Sequence, residues 1–121
     1  MLTPLRNPDF IYKVASAAAF GQSEAAGSFV GMPVDHADGY VHFSTAAQLR
    51  ETLRLHFAGQ ADLVLFAVRA RDVGAALRWE ASRGGDLFPH VYGDVPMRAV
   101  AEHARIAVAA DGAVDLPEWV Q

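Results

Sequence analysis

Leu63-Val-Leu-Phe-Ala-Val68 is apolar at every position. With no polar side to show to water, the run predicts a central strand covered on both faces. Phe10 to Val14 is a shorter stretch of aromatic and β-branched residues and predicts another strand. There Phe10, Tyr12 and Val14 share one face, and Ile11 and Lys13 the other. Ala46 to Phe57 changes period: Leu49, Leu53 and Phe57 recur every four residues and predict an amphipathic helix. Thr45 and Gln48 stand at capping-box spacing at its start. Ser16 reads as the N-cap of a second helix, Ala17 to Ala26, stopped by Gly27 and anchored by Phe20. Tyr40 to Ser44 alternates in the strand period after the turn signal Asp38-Gly39. Leu77 to Glu80 reads as a strand with Leu77 and Trp79 inward.

The rest of the chain is less regular. Residues 28 to 37 read as loop. Residues 71 to 76 read as a short connection or one helical turn. Leu87 to Gly93 is rich in aromatics but broken by Pro89. Ala99-Val100 and Ile106 to Val108 look like strand, and 101 to 105 fits strand or helix. Two clear helices among five or six strands, without regular β–α alternation, predict an α+β fold with mostly antiparallel sheet. The 121 residues make one domain, residues 10 to 121, behind an extended lead-in of residues 1 to 9 that carries two prolines.

Composition narrows the function classes. Apolar residues are 52% of the chain, enough for a real core. A net charge of −4 argues against a nucleic-acid coat or a binder of anionic membranes. The chain has no cysteine, which removes disulfides, zinc–thiolate sites and thiol nucleophiles and fits a reducing, cytoplasmic setting. No run reaches membrane-spanning length, and the start lacks the apolar stretch of a signal peptide. Nine of the ten basic residues are arginine, so Lys13 stands out.

The polar row on Tyr40–Ser44 is the sharpest candidate site. His42 and Ser44 share a strand face about 7 Å apart and can reach one ligand. They stand beside a helix N-terminus, whose free N–H groups favour anions. The alternative is a core histidine bonded to backbone, with Thr45 only capping the helix. Glu80 follows Trp79. A carboxylate against an indole is desolvated, which raises its pKa and suits acid–base work; the alternative is an ion pair with Arg78 or Arg83. Arg83-Gly84-Gly85 has the glycines of an anion-binding loop but not the lysine or spacing of a P-loop. His90 and Tyr92, around Pro89, can line a pocket or simply pack. Lys13 points into a cleft or guards a sheet edge. His36, His42 and His90 lack metal-ligand spacing, so no metal is expected. Neither G-x-S-x-G nor G-x-G-x-x-G occurs.

Taken together, Ile11 to Ser16, Asp38 to Thr45 with Gln48, His56 to Gly59, Leu77 to Glu80, Arg83 to Gly85 and Phe88 to Gly93 resemble the bacterial domain-of-unknown-function family 952. The resemblance runs over roughly residues 10 to 108. It implies an ADP-ribosyltransferase-like fold of two small, mostly antiparallel sheets with a few short helices, similar also to RNA 2′-phosphotransferases. It further implies a cleft between the sheets that takes NAD as substrate, or another nucleotide-like ligand, for ADP-ribosyl or related transfer. In that reading His42 and Glu80 are catalytic, and Tyr12, Lys13, Ser44, Thr45, Arg83 and His90 bind the ligand. Lys13 or Arg83 holds a phosphate, His42 a ribose hydroxyl, and Glu80 the oxocarbenium-like centre. Lys13 stands where such relatives carry arginine or histidine. That departure keeps a second reading open, a ligand-binding module on the same fold that has lost the chemistry.

Overall fold

A computed structural model describes residues 9–121; the expected lead-in falls almost wholly outside them. The chain forms β1 (Phe10–Ser16), α1 (Ala17–Ala26), α2 (Pro33–Asp38), β2 (Val41–His42), α3 (Ala46–Phe57), β3 (Leu63–Arg69), β4 (Leu77–Ala81), β5 (Leu87–Val91) and β6 (Val100–Ile106), with short 3-10 turns before β4, β5 and β6. Two three-stranded antiparallel sheets result, ordered β1-β3-β6 and β2-β5-β4.

β3 is central to the first sheet, as its unbroken apolar run requires. Val64, Phe66 and Val68 pack on one side with Ile11, Ala15, Phe20 and Phe29. Leu63, Leu65 and Ala67 pack on the other with Val14, Leu49 and Leu53. Each large buried side chain contributes about 1.5–3 kcal/mol before the entropy of ordering it, so β3 holds both layers together. α1 closes the first layer, and α3 with the C-terminal segment closes the second. That segment runs back along α3, where Val108 N donates to Gln60 O and Arg50 donates to Val114 O.

Both predicted helices start and stop on their sequence signals. Ser16 Oγ accepts from Ala19 N, and Gly27 ends α1 in the left-handed region at φ 86°. Thr45 and Gln48 complete the capping box of α3.

Two expectations need correction, and one open choice is decided. The loop at 28–37 contains α2, opened by Pro33 and stopped at Gly39. Residues 101–105 are strand within β6. The strand expected over Tyr40–Ser44 is two residues long in its sheet, Val41 and His42 paired with Val91 and His90. The chain then leaves β5 for the other sheet. Ser44 and Tyr12 exchange both backbone hydrogen bonds at 2.9 Å. This crossover stitches the sheets together and opens a cleft beside it. Pro89 sits within the central strand β5; it lacks an N–H, but its carbonyl accepts from Phe43 N at 3.0 Å.

Candidate functional site

A cavity of about 390 Å³ opens where the two sheets meet α3 and the start of α2. Lys13 comes from β1, His42 from β2, Ser44 from the crossover, and His90 from β5. Arg83, from the 3-10 turn after β4, closes one side. Met32, Pro33, Phe57 and Phe88 give the cavity apolar walls. Phe43 packs in the core and also borders the cavity.

The structure brings together Tyr12, Lys13, Ser44, Arg83, His90 and His42, each expected at the site from sequence. It leaves out Thr45 and Glu80. Thr45 Oγ1 is occupied as the cap of α3. Glu80 Oε1 accepts from the Tyr92 hydroxyl at 2.8 Å and lies 2.8 Å from His90 Nδ1, and Glu80 itself does not line the cavity. Its pKa moves opposite to expectation: the hydrogen bonds from His90 and then Tyr92 hold the carboxyl below its ordinary value. Successive strand residues face opposite sides, so Trp79 and Glu80 lie on different faces of β4. Tyr12 borders the cavity, but its hydroxyl is engaged by Gln121, whose N–H donates to it at 3.3 Å, and its ring stacks on Trp119.

Lys13 is buried, and its ammonium donates to Asp35 Oδ1 at 2.9 Å. Burial pushes the Lys13 pKa down, against the pull of Asp35. Asp35 is also buried. Burial opposes its charge, but hydrogen bonds from His42, the Lys13 ammonium and the N–H groups of His42 and Met32 outweigh it. They hold the carboxyl well below the usual carboxylate range. Asp35 stays ionised, and the pair is an internal strut. Lys13, expected to bind the ligand, is thus committed to Asp35.

His42 is fixed from both ends, with Nδ1 2.8 Å from Asp35 Oδ1 and Nε2 2.9 Å from Asp38 Oδ2. Tyr40 lies against His42, His90 and Tyr92, with ring centroids 4.5, 4.3 and 4.9 Å away. Ser44 Oγ meets Thr52 Oγ1 at 3.0 Å, and Arg83 donates to the same Thr52 oxygen at 3.2 Å while lying over the Phe88 ring. Among the described residues no group of three or more His, Asp or Glu side chains is arranged to hold a metal ion. No helix there is long and apolar enough to cross a membrane.

Sequence reading missed Asp35 and Thr52. Asp35 had a signal: Pro33 and Asp35 occupy the first and third positions of a helix closed by Gly39. Thr52 had none beyond its place on the polar side of α3.

Similarity to known proteins agrees with the fold. The crystal structure of protein CC0527 from Caulobacter crescentus is 44% identical, with 88% of this chain and 93% of that chain aligned at a TM-score of 0.82. The solution structure of the same protein is 45% identical, covering 88% and 91% at a TM-score of 0.76. No curated protein matches. Residues 14–103 match the family described as protein of unknown function, DUF952. The chain belongs to the domain-of-unknown-function family 952.

Proposed function

We propose that this is a small, cytoplasmic, enzyme-like domain of the ADP-ribosyltransferase-like kind. Its cleft binds NAD or another nucleotide-like ligand and carries out ADP-ribosyl or related transfer. The supporting observation is the convergence of His42, Ser44, Arg83 and His90, from three segments of the chain, on one cavity. Its volume of about 390 Å³ lies in the range of small-molecule sites. The apolar walls suit a flat ring, Arg83 suits a phosphate through its planar fork of donors, and the Ser44 and Thr52 hydroxyls suit ribose oxygens.

The second reading is a binding module without chemistry. One observation favours it: Asp35, the buried carboxylate beside the cleft, is committed to Lys13, His42 and two backbone N–H groups. Incubation with NAD separates the two. The enzyme reading expects a raised melting temperature and nicotinamide release; the module reading expects the first without the second. No shift of the melt with NAD or any other nucleotide contradicts both.

A further inference from the structure

We propose that His90, not His42, is the imidazole that exchanges a proton with the ligand in this cleft, and that Glu80 is its positioning residue. The inference rests on the cleft being a ligand site. Both ring nitrogens of His42 face carboxylate oxygens at 2.8 and 2.9 Å, so neither is open to a ligand. His90 differs. Its Nδ1 lies 2.8 Å from Glu80 Oε1, and Nε2 has no hydrogen-bond partner among the described residues. The His90 side chain is only 5% exposed, but no fully buried side-chain nitrogen among the described residues is left unpaired, so Nε2 is not fully enclosed, and the opening that His90 lines is the cavity.

Glu80 is ionised, held so by His90 and Tyr92, and an ionised carboxylate only accepts. Nδ1 therefore carries a hydrogen, and in the neutral form of the ring the lone pair is on Nε2. A carboxylate behind an imidazole fixes the tautomer and ring orientation in this way in known acid–base pairs. The Tyr92 hydroxyl steadies the same Glu80 oxygen. The other groups around the ring are Arg78, paired with His90 across the sheet, and Tyr40 and His42 from the β2 side. Lys13 and Arg83 line the same cavity.

The step suited to this geometry is deprotonation of an acceptor hydroxyl or water. Its oxygen bonds to the anomeric carbon of the ribose as the carbon–nitrogen bond breaks. Nicotinamide leaves as a neutral molecule with that electron pair, and the proton passes to His90 Nε2.

The test is the two-bond proton–nitrogen NMR spectrum of the whole, nitrogen-15-labelled chain. The expected result is neutral His90 protonated on Nδ1, and loss of that tautomer in Glu80→Ala. Hydrogen on Nε2 in the wild type, or a tautomer indifferent to Glu80→Ala, overturns the assignment; the wild-type spectrum alone decides should the variant not fold. Nicotinamide release from NAD is the second readout. His90→Ala lowers kcat about 10²–10⁴-fold, the usual worth of a general base, and Glu80→Ala displaces the pH profile. Retained kcat in His90→Ala overturns the proposal. A wild type that releases no nicotinamide overturns the NAD reading instead, and the tautomer then decides the His90–Glu80 pairing by itself.

Discussion

His42 Nδ1 lies 2.8 Å from Asp35 Oδ1, the same oxygen that receives the Lys13 ammonium at 2.9 Å. One carboxylate thus ties β1, α2 and β2 together beneath the cleft. Removing one partner of a buried ion pair strands the other, at a cost of about 3–5 kcal/mol. Asp35→Ala is expected to lose stability of that order. Lys13→Met is expected to lose less, because Asp35 keeps His42 and two backbone donors. Urea melts of both variants check the order; equal losses would mean that the other donors hold Asp35 weakly.

The same carboxylate sets a pH dependence. A carboxyl with a depressed folded-state pKa stabilises the fold above its unfolded value, about 3.9, and loses that contribution as pH falls through the folded value. Asp35 is held below the ordinary range, so its share disappears in the window below about pH 4. Asp35→Asn removes this share from the acid limb. Stability measured from pH 7 downward should therefore fall less steeply in the variant than in the wild type.

Leu65 is completely buried between the first sheet and α3. Leu65→Ala leaves a cavity in a layer that cannot collapse freely and should cost about 2–5 kcal/mol. A loss under about 1 kcal/mol in denaturant melts would contradict the double-sided covering of β3.

Thr45 separates capping from ligand binding. Its hydroxyl accepts from Gln48 N, so Thr45→Ala should destabilise by about 1 kcal/mol and leave nucleotide affinity unchanged in a binding titration. Weaker binding at unchanged stability would return Thr45 to the site.

Gly112 tests the C-terminal segment. Its φ is +89°, and an added Cβ would strike the Arg54 side chain and come within 3.2 Å of Arg54 Cα. The side chain can swing aside, but the backbone cannot. Left-handed strain alone costs about 1–2 kcal/mol, so Gly112→Ala should lower the melting temperature and loosen residues 113–121 from α3 in hydrogen exchange. An unchanged melt would show that the segment is not seated as described.

Period and capping carried much of the fold. The apolar run of β3, the stripe of α3, and the Ser16 and Thr45 caps are local signals that tertiary context left intact. Tyr40–Ser44 misled because alternation reports faces, not partners. His42 pairs with β5 and Ser44 with Tyr12 of the other sheet, although the residues keep their alternation. The site followed the same rule. His42 and Ser44, on a shared face, both reach the cavity, whereas Glu80 was misjudged because the residue beside it in sequence, Trp79, lies on the other face of the strand. The contacts that set its charge, His90 and Tyr92, lie on another segment. The Asp35 strut was invisible for a similar reason, since Lys13 and Asp35 meet only after the sheets close.

The most direct measurement of the central claim is a titration of the nitrogen-15-labelled chain with NAD, followed residue by residue in its amide spectrum. The account predicts saturable shifts at Lys13, His42, Ser44, Arg83 and His90, the groups around the cavity. No shifts, or shifts gathered instead on residues 107–115 at the C-terminal segment, would contradict it.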